Sequence, residues 1–300
     1  MLRKFFQFFN LNKEKLFLGV VLVLLSLNFL TWGTVLKTIK KSDIEIYFFD
    51  VGQGDAHFIE AKDGTQILID GGPPNKILPK LSRVLDFNDR DLDVLIVTHP
   101  HVDHISGAIE VLKNYNVGMI IESGVDYHTA EAEEFEKLAD EQKLKRIIID
   151  KPTTLKFYNG AEIKFLYPDR SFVGKIIKKV HDATVISQFS YNNKKILFMG
   201  DAEKNIEKYL LNKNLIDDVD VLKAGHHGSK TSTSKEFLFV ARPEYSILEV
   251  GRNSYGHPTQ EVLSRLASIG SQIFRTDRDG TIKFEIDSLG NLKFSGENVK

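Results

Sequence analysis

Two hydrophobic patterns divide this chain. From Leu16 to Leu36 there are 21 residues without a charge, mostly Leu, Val and Phe. At about 1.5 Å per residue such a helix spans roughly 30 Å, the thickness of a bilayer core. Trp32 near one end suits an interfacial position. The run is long for a signal-peptide core, and no A-x-A-like cleavage site follows it. The expectation is an uncleaved single-pass anchor at about 16–36, with a cytoplasmic N-terminus before it and a polar linker after it, together residues 1–42. Beyond it, short apolar runs alternate with amphipathic stretches. Strands are expected at Ile44–Asp50, Gln66–Asp70, Asp93–Thr98, Val117–Glu122, Arg146–Ile149, Ala161–Leu166, Ala183–Tyr191, Lys195–Met199, Asp220–Lys223 and Tyr245–Val250. Helices are expected at Ile105–Tyr115, Glu131–Lys143, Glu203–Leu211, Lys235–Ala241 and Thr259–Ile269. A hairpin closes the chain at Thr281–Ile286 and Asn291–Phe294. No Pro/Gly-rich linker interrupts residues 43–300, so they read as one layered α/β domain.

Composition narrows the chemistry. The net charge of −1 argues against a protein that coats nucleic acid through general basicity, though a local basic groove stays possible. The absence of cysteine excludes disulfides and thiolate ligands, leaving His, Asp and Glu to hold any metal. Lys and Arg flank the anchor on both sides, with Arg3, Lys4, Lys13 and Lys15 before it and Lys37, Lys40 and Lys41 after it. This small asymmetry leans towards the large domain lying outside the membrane. Phe5, Phe6, Phe8 and Phe9 suit the inner headgroup zone.

The chemistry concentrates at His99-Pro100-His101-Val102-Asp103-His104, where three of the chain's nine histidines fall directly after an apolar run. His99 and His101 alternate and are expected to point the same way as a strand runs out, forming half of one metal site. Asp103 and His104 follow where a helix begins and can serve a second ion. Imidazole with carboxylate and no thiolate suits zinc or a harder ion such as manganese. Further candidates stand at strand ends. Asp201 follows Gly200 and either bridges two ions or caps the next helix. In Gly225-His226-His227-Gly228-Ser229 the adjacent side chains diverge, so only one histidine is expected as a ligand. His181 precedes a strand. His257, in Asn253-Ser254-Tyr255-Gly256-His257-Pro258, suits an anionic substrate group or a turn.

Together these motifs resemble the metallo-β-lactamase superfamily, and in particular the C-terminal hydrolase domain of the ComEC competence proteins. Phe49-Asp50-Val51-Gly52-Gln53-Gly54-Asp55-Ala56, Ile69-Asp70-Gly71-Gly72, the His99–His104 cluster, Met199-Gly200-Asp201-Ala202-Glu203, Leu222–Lys230, Tyr255–Pro258 and Arg275–Gly280 carry the likeness, which runs from about Ile44 to Ile286. It implies a four-layer αββα sandwich with a dimetal site at one edge. His99, His101 and His181 would hold one ion; Asp103, His104 and His227 the other; and Asp201 would bridge. Asp at the bridging position in place of Cys argues against β-lactam hydrolysis. The single hydrophobic span departs from a full-length ComEC protein, so this chain is not expected to form a translocation pore.

The resulting expectation is a hydrolase in which two divalent ions, zinc or manganese, deprotonate a shared water near neutral pH. Asp103 would orient that water as well as bind metal. Asp70 would accept a hydrogen bond from a ligand imidazole, and Asp50 and Asp55 would either do likewise or form turns. His226, Ser229, Asn253 and His257 would contact an anionic group, with Lys223 and Lys230 adding positive charge. That favours phosphate esters or a nucleic-acid backbone, and a link to DNA-uptake machinery follows from the resemblance alone. Small esters such as phosphocholine or cell-wall decorations are the alternative, and a non-catalytic membrane-tethered binding protein is the alternative of another class.

Overall fold

The computed structural model describes Lys13, residues 15–32 and residues 42–299, and the chain divides into two units at Lys41/Ser42. In the first, helix α1 (Lys15–Trp32) is long and apolar enough to cross a membrane by length and composition. Its polar side chains turn back on their own helix. Ser26 Oγ donates to Leu22 O at 2.9 Å, Asn28 Nδ2 to Leu24 O at 3.3 Å and Thr31 Oγ1 to Leu27 O at 3.0 Å. Such internal partners are what a hydrocarbon surrounding demands of a polar group. The rest of the expected span, its flanking charges other than Lys13 and Lys15, the N-terminal phenylalanines and most of the linker lie outside the described residues.

The second unit has two sheets, each built in the same way: an antiparallel meander followed by three parallel strands joined through helices. The first sheet contains β1 (Ile44–Phe48), β2 (His57–Ala61), β3 (Gln66–Ile69), β4 (Asp91–Ile96), β5 (Asn116–Glu122) and β6 (Lys145–Ile148). Helices α2 (Ile77–Val84), α3 (Val102–Asn114) and α4 (Ala130–Glu141) cross over between its parallel members. The second contains β7 (Thr153–Lys156), β8 (Glu162–Tyr167), β9 (Ile186–Tyr191), β10 (Lys194–Phe198), β11 (Val221–Lys223), β12 (Tyr245–Leu248) and β13 (Gln272–Arg275), with α5 (Lys204–Asn212), α6 (Lys235–Ala241) and α7 (Gln260–Ser268) as its crossovers. After the short α8 (Thr276–Asp279), the chain returns to the first sheet as β14 (Ile282–Ile286) and β15 (Leu292–Gly296). The orders are β15-β14-β1-β2-β3-β4-β5-β6 and β13-β12-β11-β10-β9-β8-β7.

Strand alternation explains the layers. Ile44, Ile46 and Phe48 on one face of β1, with Ile69 and Ile96, meet Phe165, Phe189 and Phe198 of the opposite sheet in the central core. Phe49, Phe58, Leu68 and Leu95 point the other way, onto α2, α3 and α4, while Leu197, Leu222 and Leu248 pack beneath α5, α6 and α7. This is the four-layer αββα sandwich. Chemistry then has one natural place: the carboxyl ends of the parallel strands, where crossover loops from both sheets meet.

Several elements differ from their expected bounds. β4 ends at Ile96 and α3 starts at Val102, so Asp103 and His104 occupy the first helical turn, where the helix dipole favours the carboxylate. β9 begins only at Ile186, because a 3₁₀ turn at Val180–Ala183 carries His181. β2, α2, β7 and β13 were not expected from the pattern. One close approach fixes the entry of α3. Gly71 N donates to His104 O at 2.8 Å and Gly107 N to Gly72 O at 2.9 Å. A Cβ on Gly107 would lie 1.9 Å from Gly71 O, so only glycine fits there.

Candidate metal centre

Five histidines from three segments, after β4, before β9 and after β11, converge on Asp201, which follows β10. Its Oδ1 lies 3.5 Å from His104 Nε2 and 3.6 Å from His227 Nε2. Its Oδ2 lies 3.7 Å from His99 Nε2, 3.6 Å from His181 Nε2 and 3.8 Å from His226 Nε2. Two donor clusters therefore share one carboxylate, an oxygen each. The first is His99, His101, His181 and Asp201; the second includes Asp103, His104 and His227. His101 Nδ1 lies 3.1 Å from His99 Nε2 and 3.0 Å from His181 Nε2, while Asp103 Oδ2 lies 3.3 Å from His227 Nε2.

The donor set fits a cation. His104 Nε2, His227 Nε2 and Asp201 Oδ1 are buried and have no hydrogen-bond partner. Each such orphan costs about 1–3 kcal/mol, and all three face the same point. Charges press the same way. Burial opposes a proton on His227, but Asp201 and Asp55 outweigh it and push its pKa up to about 10. His104 is likewise raised, burial being outweighed by Asp201, Asp70 and Asp103. Burial would raise Asp103, but His104 and His227 hold it down to about 2. On the other side burial dominates and keeps the imidazoles neutral: His99 falls well below the ordinary histidine value, and His101, with His181 beside it, drops to about 4. Neutral imidazoles and ionised carboxylates are the forms that bind metal, so an ion beside His104 and His227 would take the place of their protons.

The surrounding residues orient these donors. Asp70 sits at φ 57°, an uncommon left-handed conformation for a residue with a side chain. Its carboxylate accepts from Thr98 N at 2.8 Å, from Thr98 Oγ1 at 2.6 Å and from His104 Nδ1 at 2.8 Å. His227 Nδ1 lies 2.9 Å from Glu249 O and 3.2 Å from Asp55 Oδ1. Asp55 also pairs with Lys223, which is fully buried and donates to Gly200 O at 3.1 Å. Behind them His57 Nδ1 meets Glu249 Oε2 at 2.7 Å, both side chains fully buried.

Most of the expected residues come together, with corrections. His99 and His101 stand in the loop after β4 rather than on alternate positions of the strand itself. His226 and His227 do diverge, yet both reach Asp201, on different oxygens, because both adopt positive φ, 48° and 51°. Two consecutive left-handed non-glycine residues are strained backbone held by its surroundings. His257 is half-buried, its ring 5.5 Å from that of His226. Ser229 and Asn253 bond within their own loops: Ser229 Oγ with Thr231, and the Asn253 amide with Gly251 O and with the N–H and C=O of His257. Asn253 therefore shapes the loop that carries His257. Lys223 is committed to Asp55 and is closed to solvent, so it adds no charge towards a substrate. Asp50 only closes a turn, accepting from Gly52 N at 3.2 Å. The sequence pattern missed Glu203, whose Oε1 lies 3.7 Å from His226 Nδ1, and the His57–Glu249 pair.

The αββα sandwich and its His/Asp edge define a class. The profile of the Metallo-beta-lactamase superfamily matches residues 49–251, and the chain belongs to this superfamily of metal-dependent hydrolases. Among particular relatives, it is 29% identical over 270 residues to ComE operon protein 3 of Bacillus subtilis (strain 168), covering 81% of this chain and 33% of that protein. It is 30% identical over 257 residues to Recombination protein 2 of Haemophilus influenzae, covering 82% of this chain and 29% of that protein. It is 27% identical over 264 residues to competence protein ComA of Neisseria gonorrhoeae, covering 85% and 34%. The chain thus spans about a third of the length of these curated relatives. Its fold matches that of the metallo-beta-lactamase fold protein YhfI of Bacillus subtilis, with TM-score 0.52 at 13% identity over 79% of this chain and 98% of that one. It also matches CmlA, a diiron beta-hydroxylase of Streptomyces venezuelae, with TM-score 0.53 at 15% identity over 82% and 54%. A hydroxylase on the same fold means that the reaction must be argued from the site.

Proposed function

We propose that this chain is a dinuclear, zinc- or manganese-dependent phosphodiesterase, held to the membrane by α1 with the hydrolase unit outside, and acting on nucleic acid in a DNA-uptake setting. The observation that carries the reading is the shared Asp201 carboxylate, with one oxygen facing each donor cluster and unpartnered buried atoms of His104, His227 and Asp201 beside it. His99, His101 and His181 would hold one ion, Asp103, His104 and His227 the other, and Asp201 both. Such a pair supplies an activated water and neutralises charge on the phosphoryl oxygens.

The chain's own residues supply the rest. Asp70, Asp55 and the Glu249 carbonyl fix the tautomer and angle of His104 and His227. Asp103, one-third exposed, has a carboxylate edge towards solvent that can orient the attacking water. Burial lowers the pKa of His226, whose Nδ1 faces Glu203, so it can hold a proton briefly and pass it to a leaving oxygen. His257 has a buried Nδ1 without a partner and stands beside His226, where it can donate to a phosphoryl oxygen.

The test uses the full chain in detergent, with bound metal counted by mass spectrometry. Expected are two ions per chain, turnover of bis-p-nitrophenyl phosphate and of single-stranded DNA, and loss of both activities in Asp201→Ala. Metal-loaded protein that cleaves neither substrate removes the proposal. Turnover confined to phosphocholine esters replaces it with the small-ester reading. A chain that binds no metal leaves the binding-protein reading.

A further inference from the structure

Beside the candidate metal centre lies a cavity of about 520 Å³ at the carboxyl ends of β4, β5 and β6. It opens on the reaction side: His99 and Pro100 form part of its wall, and the ring of Tyr127, also in the wall, stands 5.7 Å from that of His101. Val97, Ile105, Phe135 and Ile148 make its sides apolar, and the exposed Val173 stands at the edge. Its polar wall is a mixed pair. Arg146 Nε donates to Glu122 Oε1 at 2.7 Å, and the other end of the same guanidinium donates to Glu136 Oε1 at 2.7 Å. Asp126 and Glu133 add further negative charge to the lining.

This combination selects its occupant. An anion entering the cavity would meet Glu122, Asp126, Glu133 and Glu136. A small hydrated cation would find carboxylates but would leave the apolar walls and the Tyr127 ring uncovered. A flat neutral ring can lie against the apolar walls and Tyr127 while its edge, carrying both donors and acceptors, faces the guanidinium and the carboxylates. All three nitrogens of Arg146 are already taken by Glu122 and Glu136, so the carboxylate oxygens make the contact, accepting from an exocyclic amino group such as that of cytosine. We infer that the cavity binds a single nucleobase of the substrate, stacked on Tyr127, while the adjoining phosphate sits at the metal centre. The acidic lining repels a second phosphate, so the strand does not continue into the cavity and a terminal base is the preferred occupant. This placement rests on the phosphodiesterase reading; the binding of the base itself does not.

The full chain loaded with zinc is titrated with guanosine and cytidine, and separately with choline, by saturation-transfer NMR. The variants Tyr127→Ala and Val173→Trp are checked first for unchanged metal content and melting temperature. Saturable nucleoside binding, weakened by about tenfold or more in both variants, is the expected result and matches the loss of one stacked base. The inference is overturned if neither nucleoside binds, if choline binds in their place, or if both variants keep wild-type affinity. Turnover separates this inference from the parent reading. Bound guanosine with no diester cleaved leaves the base pocket standing and removes the reaction. Equal kcat/KM for a thymidine p-nitrophenyl phosphodiester and its methyl analogue, with no nucleoside bound, does the reverse. Comparing a dinucleotide with a long single strand then distinguishes free nucleotides from strand ends as the source of the base.

Discussion

At the scale of single residues, two buried carboxylates outside the proposed ligand set brace the site. Asp70 accepts three hydrogen bonds, one of them from His104 Nδ1, and Asn in its place would offer one acceptor where there are now two. In Asp70→Asn, metal affinity should fall by about 10–100-fold, read by chelator competition, with the fold intact by circular dichroism. Asp55 is tied to Lys223, and removing one partner of a fully buried pair leaves an uncompensated charge. Lys223→Met should therefore cost about 3–5 kcal/mol in urea unfolding at pH 7. The dependence on pH has a definite sign. Burial opposes ionisation of Asp55, but Lys223, His227 and His104 outweigh it and depress its pKa in the folded protein. Its favourable contribution is present above the ordinary carboxylate value and is lost as pH falls through the folded one. In the variant the carboxyl keeps only His227 and His104 as counter-charges and is easier to bury once protonated. The gap between wild type and Lys223→Met should narrow from pH 7 to pH 4; a gap that stays constant would show that the pair contributes nothing electrostatic.

At the scale of elements, the entry of α3 sets the distance between its first turn and Asp70. Gly107→Ala drives a methyl group into the backbone of Gly71, where no flexible side chain can yield. It should cost about 1–3 kcal/mol and lower metal affinity together with stability, because His104 moves with the helix. Thermal melts with and without zinc check both effects. The same scale shows what was legible in the sequence. β1, β4, β5 and β10 announce themselves because their apolar positions face a core on at least one side. β2 was missed because His57-Phe58-Ile59-Glu60-Ala61 is buried on both faces, so it has no polar alternation, and its His and Glu read as surface residues. β7 hides for the opposite reason, being an edge strand of Thr, Leu and Lys that is mostly exposed. Pro79 obscured α2, although proline is tolerated in a first helical turn. In the site, the His99–His104 cluster is legible because its ligand spacing is local, whereas Asp201 reads equally as a helix cap until the family resemblance assigns it. The commitment of Lys223 to Asp55, the left-handed pair at His226 and His227, and the His57–Glu249 support depend on two sheets packing face to face, which no local pattern records.

At the scale of the whole molecule, the two sheets meet through their core, and the loops at their carboxyl ends carry clustered carboxylates and orphaned buried atoms that suit a bound cation. Asp55, Asp70, Asp103 and Asp201 lie within one network with His104 and His227, and in the absence of metal those imidazoles must hold protons against burial. On the proposed reading metal binds this arrangement and not the unfolded chain, so stability should follow metal concentration. A site held at 1,000 times its dissociation constant adds about 4 kcal/mol, and at roughly 2–4 °C per kcal/mol for a unit of this size that is about 8–16 °C of melting temperature. Stripping with a chelator should lower the melting point by that order, and zinc or manganese should restore it. Because Asp201 reaches both clusters, Asp201→Ala should abolish most of the metal response, whereas His181→Ala, which removes a donor from one cluster alone, should keep part of it. Differential scanning calorimetry across a zinc titration of the three proteins distinguishes these cases. Equal responses in wild type and Asp201→Ala would mean that the carboxylate does not join the two clusters.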